Sequence, residues 1–122
     1  MDFLVVLKDE AADGSTETLS KGWLRASHRA VDPKLSSKNQ PWHPHLKIEE
    51  LIPGEPTKLD IEIISTCNVF KQGHRIRLEI SSSDSLAENS FQYHRGLLNP
   101  GVNTLFEGGH YSSKLHVPVI PR

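Results

Sequence analysis

Apolar and polar side chains alternate without a break from Arg75 to Ser81: Ile76, Leu78 and Ile80 fall on one side of an extended chain, and Arg75, Arg77 and Glu79 on the other. A period of two cannot give a helix one apolar face, so this run predicts a strand with one dry and one wet surface. Gly73 supplies the reversal that leads into it. Leu59, Ile61 and Ile63 alternate with Asp60 and Glu62 in the same way, and the short link from Thr66 to Gln72 predicts that the two strands are antiparallel neighbours. Ile61, Ile63, Ile76, Leu78 and Ile80 are therefore the expected core.

Phe3 to Leu7 is apolar at every position, as a central strand buried on both faces would be. Asp13-Gly14 reads as the turn of a hairpin onto a strand from about Thr18 to Ser27, whose bulky residues are Leu19, Trp23 and Leu24. Within it Gly22 marks a bulge or a close approach of another backbone. From Val31 to Pro56 five prolines interrupt a stretch with few apolar clusters, which predicts a long irregular crossing of the kind a Greek-key sandwich needs. A polar loop after Asp84 leads to Asn103–Phe106. Leu115, Val117 and Val119, interleaved with His116 and Pro118, close the chain as a strand that lies at an edge or breaks at the proline. Ile48 to Leu51 has room for one helical turn, and no longer helical repeat occurs.

With 122 residues, residues 1–122 suit one domain, and a second, catalytic domain has no room. A net charge of -1 gives no electrostatic reason to bind nucleic acid or an anionic membrane, so neither is expected as a partner. The lone cysteine, Cys67, allows no intrachain disulfide and is expected to be a small buried filler. Met1 to Lys8 reads as a strand and lacks the basic region and cleavage site of a signal peptide, so the expected location is cytoplasmic.

Nucleophilic catalysis on an α/β-hydrolase scaffold uses a G-x-S-x-G elbow, where a sharp turn exposes the serine hydroxyl and the next N–H helps to form the oxyanion hole. The sequence contains no such motif, so no residue is assigned a catalytic role, and a stand-alone small esterase would need a serine and a histidine brought into contact by the fold. His43-Pro44-His45 is the most metal-like spacing, with His28, His74, Asp84, His94 and His110 as the remaining donors. Nothing in their spacing selects a ligand set, and the favoured reading has Trp42 docked on the sandwich and the histidines bonded to backbone. No metal or cofactor is expected. Ser81-Ser82-Ser83-Asp84 could hold a sugar or a cation, but Ser and Asp more commonly end a strand by bonding to their own backbone. Arg25, His28 and Arg29 around Trp23 read as a polar outer face. Asp9, Glu10 and Asp13 read as a solvated hairpin tip rather than a calcium loop.

Five blocks, GWLRASHR (Gly22 to Arg29), PWHPH (Pro41 to His45), IPGEPTKLDIEI (Ile52 to Ile63), the run from Val69 to Asp84, and LHVPVIP (Leu115 to Pro121), together resemble one known module. It is the C-terminal β-sandwich domain of the cocaine esterase and X-Pro dipeptidyl-peptidase (CocE/NonD) family of serine hydrolases. The resemblance implies an all-β, galactose-binding-like jelly-roll β-sandwich that packs on an α/β-hydrolase catalytic domain, in the same chain or a separate one, and has no catalytic residue of its own. In the family additional strands precede the segment that looks like Asp2 to Lys8, and the loop after Asp84 is arginine- and asparagine-rich where this chain reads SLAENSFQYHRGLLNPGVNT. A sandwich without its opening strands presents an unpaired edge, which predicts self-association as a two-fold homo-oligomer. The alternative is a free-standing carbohydrate-binding or interaction module, which would gather Trp23, Trp42, Tyr93 and Tyr111 on one sheet face.

Overall fold

The computed structural model describes residues 1–82 and 101–120. Among these the regular elements are β1 (Asp2–Glu10), β2 (Thr16–Arg25) and β3 (Arg75–Ser81), with short 3-10 turns at Ala26–His28 and Gly109–Tyr111. The chain is all-β, and the three strands form one antiparallel sheet in the order β2-β1-β3. This is consistent with one layer of a β-sandwich.

β1 lies in the middle because its sequence can be dry on both sides. Phe3, Leu4, Val5 and Val6 are all buried, with Leu24 and Ala26 completing the core. The hairpin to β2 turns at Gly14, whose φ of 84° lies where a side chain is strained. Asp13 accepts from the Ser15 N–H at 2.9 Å to brace the turn. Pairing runs Leu4 to Trp23 and Val5 to Gly22, then slips between Leu7 and Lys8, so that Leu19 is the extra, bulged residue. Gly22 is the close-approach point: a Cβ there would collide with the Glu62 carbonyl oxygen and sit 3.0 Å from Ile63 Cα.

β3 pairs with β1, not with the Leu59–Ile63 segment. Its register runs from Leu4 opposite Ser81 to Glu10 opposite Arg75, with no shift. The Leu59–Ile63 segment is not a strand. It crosses β2 instead, seated on Gly22 and fastened where the Ile64 N–H donates to the Lys21 carbonyl at 2.9 Å and the Ser20 hydroxyl donates to the Ile64 carbonyl. Ile61 and Ile63 are accordingly half-buried rather than core. The closing residues Leu115 to Val119 and Asn103 to Phe106 likewise form no strand. Pro118 has no N–H to give, and the Ser113 N–H donates to the Phe106 carbonyl at 3.1 Å, which closes a loop instead of a ladder.

The expected core assignment of Ile76, Leu78 and Ile80 is corrected by the fold. Alternation does place them on one face, in register with Asp9, Leu7 and Val5. They remain 48%, 37% and 40% exposed, because the segment that crosses the sheet covers β1 and β2 and leaves β3 open.

Candidate functional site

Three constructions meet around this sheet, and each begins from a residue that its strand or turn fixes in place. The first is polar. Asp9 belongs to the dry face of β1 with Phe3, Val5 and Leu7, and it is only 9% exposed. A carboxylate so placed needs partners. His74 Nδ1 lies 2.8 Å from one Asp9 oxygen, and Asn68 Nδ2 donates to the other at 3.2 Å. The cluster ties β1 to the turn in which the His74 N–H donates to the Lys71 carbonyl at 3.0 Å. A carboxylate orienting an imidazole is two-thirds of a hydrolase triad, but the missing third is a hydroxyl at the other ring nitrogen. Among the described residues Asp9 is the one side chain hydrogen-bonded to His74. Asp9 is thus an internal anchor, not part of a solvated hairpin tip. The parity of β1 already held that signal, since Asp9 continues the odd-numbered series Phe3, Val5, Leu7.

The second construction is the bolt made by PWHPH. His43 Nδ1 lies 3.1 Å from the Ala30 carbonyl oxygen and its Nε2 lies 2.8 Å from that of Asp60. The ring therefore spans the two ends of the proline-rich crossing. Carbonyl oxygens only accept, so a ring with a single N–H satisfies one of the two at a time. The nitrogen without the N–H keeps its lone pair, but it faces a carbonyl oxygen and not a set of ligating side chains. His45, at φ 54°, stacks obliquely near His43 and His28, with ring centroids 6.0 Å and 5.6 Å away. Among the described residues no three His, Cys, Asp or Glu side chains converge as a metal-ligating group. Trp42 is not docked: its backbone is held by Ser36 and Asp32, while its side chain stands half in solvent.

The third is β3 itself, apolar on one side and charged on the other. On the charged side Lys8 Nζ reaches Glu79 at 3.0 Å, Arg77 Nε reaches Glu79 at 2.9 Å, and Arg77 Nη1 reaches Glu10 at 3.1 Å. The hydrogen bond from Lys8, helped by the charges of Lys8 and Arg77, holds the Glu79 carboxyl below the usual carboxylate range against the opposing effect of burial. Alternating charges thus run Glu10, Arg77, Glu79, Lys8.

The remaining candidates are distributed rather than assembled. Arg25 donates to Asp2 at 2.7 Å, and this hydrogen bond raises its pKa above the ordinary value. Arg29 donates to the Glu49 carbonyl at 2.7 Å and to that of Ala26 at 3.1 Å, so neither guanidinium serves Trp23. Asp13 is occupied by Ser15, whose hydroxyl donates to it and lowers its carboxyl below the usual range. Glu10 pairs with Arg77, so the three acidic residues have three separate partners. Trp23, Trp42 and Tyr111 lie on a strand, in the crossing and in a C-terminal turn respectively; among the described residues only the last has a ring partner, Phe106 at 5.5 Å, besides His110. Cys67 is exposed rather than a buried filler, because the link that carries it runs outside the sheet. Ser81 ends β3 and Ser82 follows it, whereas Ser83, Asp84, Tyr93 and His94 lie outside the described residues.

Comparison with known proteins gives this arrangement a context. Residues 1–116 match the family model of the X-Pro dipeptidyl-peptidase C-terminal non-catalytic domain. Candidate serine esterases of Mycobacterium bovis and Mycobacterium tuberculosis are each 32% identical over 87 residues, which is 68% of this chain and 14% of theirs. The crystal structure of a CocE/NonD family hydrolase from Staphylococcus aureus superposes with a TM-score of 0.66 at 30% identity, covering 68% of this chain and 17% of that one. The chain therefore spans about one seventh of the length of these curated relatives.

Proposed function

This chain belongs to the family of X-Pro dipeptidyl-peptidase C-terminal non-catalytic domains, and on that premise we propose that it is the accessory domain of a larger serine hydrolase. Its role is to pack on an α/β-hydrolase domain that carries the nucleophile and to help wall the substrate cleft. Association with further copies of itself belongs to the same reading. The observation that carries it is the lopsided burial of one sheet face: Val5 is 4% exposed, while Ile80, directly opposite it on β3, is 40% exposed. An apolar stripe that continues a buried core out into solvent is the kind of surface a second domain covers. The esterase naming of the mycobacterial relatives supports hydrolysis as the activity of the larger protein.

The test has two arms. The purified chain is expected to leave p-nitrophenyl esters and X-Pro nitroanilides intact; turnover that vanishes on a single serine substitution would place the chemistry in this chain and defeat the reading. In the longer hydrolase carrying this sequence, Leu78→Arg is expected to lower the melting temperature and raise KM, because it puts a charge into the covered face. An unchanged melting temperature and KM would mean that the stripe covers nothing.

A further inference from the structure

We propose that His28 and His45 form a two-imidazole site for a borderline divalent transition metal such as zinc, and that the ion fastens the proline-rich crossing to the end of β2. The site goes beyond the accessory-domain reading and does not rest on it.

The first argument is spacing and unspent nitrogens. The His28 and His45 ring centroids stand 5.6 Å apart with the planes inclined by 47°. Imidazoles that share one tetrahedral ion, at metal–nitrogen bonds of about 2.0–2.1 Å, hold their centroids roughly 5–6 Å apart. His43 spends both of its nitrogens on the Ala30 and Asp60 carbonyls. His45 spends neither: among the described residues no hydrogen bond holds its ring, and its neighbours are the other two imidazoles. His28 has one nitrogen engaged, with Nδ1 3.3 Å from the Ser27 hydroxyl oxygen. In the tautomer that donates from Nδ1 to Ser27, Nε2 keeps the lone pair that a metal needs, and the hydroxyl fixes the ring as outer partners of metal-ligating histidines do.

The second argument is that the backbone sets the pair side by side before any ion arrives. His28 ends the turn Ala26–His28 that follows β2, and His45 belongs to the crossing. On one flank of His45 the His43 ring is bonded to the Ala30 carbonyl; on the other, the Glu49 N–H donates to the Ser27 carbonyl at 2.8 Å. These two ties bracket His45 against His28. His45 itself adopts a φ of 54°, a conformation that a residue with a side chain keeps only where its surroundings over-determine it, and such residues gather at ligand clamps. Arg29 brings a positive charge next to His28, but the Glu49 carboxylate stands 3.4 Å from its guanidinium and offsets it. Among the described residues no third His, Cys, Asp or Glu converges on the pair, so water fills the remaining positions and the site is open and exchangeable. Imidazole donors suit zinc and copper, whereas calcium and magnesium take oxygen.

The pair makes the test specific. Copper(II), the spectroscopic stand-in for zinc, is expected to bind the whole chain, freed of any purification tag, one to one. Its electron paramagnetic resonance spectrum should show splitting from two nitrogens. Zinc should raise the melting temperature in a concentration-dependent way, because only the folded chain holds the two rings together. His28→Gln and His45→Gln should each weaken copper binding about tenfold or more, at least the loss that follows removal of a partner outside the coordination sphere. His110→Gln and His116→Gln should leave it unchanged, and circular dichroism checks that each variant is folded. On the unaltered chain, zinc should shift the imidazole C–H signals of His28 and His45 and leave those of His74, His110 and His116 in place, a readout that needs no variant. Failure of either metal to bind more tightly than about millimolar overturns the proposal. So does binding that survives both glutamine variants, since other imidazoles would then hold the ion. Loss at one variant but not the other overturns it too, because a single ring would suffice, as does a melting temperature that zinc leaves unmoved.

Discussion

On the face they share, β1 and β3 both present apolar side chains, yet β1 is buried and β3 stands open. Val5 and Leu78 share a face of one sheet, and between them burial falls from almost complete to about two-thirds. The difference is not in the strands but in what lies over them. The backbone of Glu62 and Ile63 rests on Gly22, the Ile64 amide reaches β2, and Asn68 and His74 converge on Asp9, so the crossing chain roofs β1 and β2 and returns to the sheet only at β3. Periodicity assigns a face; a cover makes that face a core.

Truncation should expose this contrast most strongly. Leu4→Ala is expected to cost about 2–5 kcal/mol of unfolding free energy in urea titrations, because Leu4 is 2% exposed at the centre of the sheet. Leu78→Ala, measured on dilute chain, should cost less than about 1 kcal/mol, since much of its surface is already wet. Equal losses would show that β3 is covered in solution. Next in size is the roof itself. Gly22→Ala drives a methyl into the Glu62 carbonyl, a backbone atom that cannot rotate away, and is expected to cost about 1–3 kcal/mol. A neutral outcome would mean that the crossing chain lifts freely from β2. His43→Leu keeps the bulk of the bolt but strands the Ala30 and Asp60 carbonyls, with a loss of about 1–3 kcal/mol and faster amide exchange in the crossing. Unchanged exchange would show that the prolines alone hold the segment.

The regions differ also in how far they could be read from the amino acids. β1, the Asp13-Gly14 turn and β3 are legible because their signals are local: an apolar run, a glycine at positive φ, strict alternation. The close approach at Gly22 is legible as a need, although not which backbone meets it. Leu59–Ile63 carries the same alternation as β3 and is no strand, because its neighbour is a glycine on β2 and not a free ladder edge. Asp9 and His74 are distant in sequence, and the pair becomes visible only once β1 and β3 are set side by side. The register of Phe3, Val5, Leu7 and Asp9 is the one sequence clue to that burial. The bolting of His43 to two carbonyls follows the expectation that histidines of this motif bind backbone. The half-exposed Trp42 does not follow it.

The smallest expected effect separates the two regions by the origin of a charge. Asp13 in the hairpin turn and Glu79 on β3 both titrate below the usual carboxylate range, the first through hydrogen bonds from the uncharged Ser15, the second chiefly through its hydrogen bond from the Lys8 ammonium. A folded-state value below the unfolded one means that each carboxylate stabilises the fold at pH above its unfolded value. That contribution is lost as pH falls through the folded one. Both groups lie at the surface, so the loss is slight and is best followed group by group as carbon-13 carboxyl shifts in an acid titration. Salt then tells them apart. At about 1 M ionic strength the screening length shrinks to about 3 Å, and the Glu79 midpoint should climb toward that of a free glutamate as Lys8 and Arg77 are screened. The Asp13 midpoint should hardly move, since a hydroxyl and an amide carry no net charge to screen. If both midpoints climb together, the turn is held by long-range charge, including that of His74, rather than by Ser15. If neither moves, Glu79 keeps Lys8 by a hydrogen bond that salt does not reach, and the charged side of β3 is more firmly built than its exposure suggests.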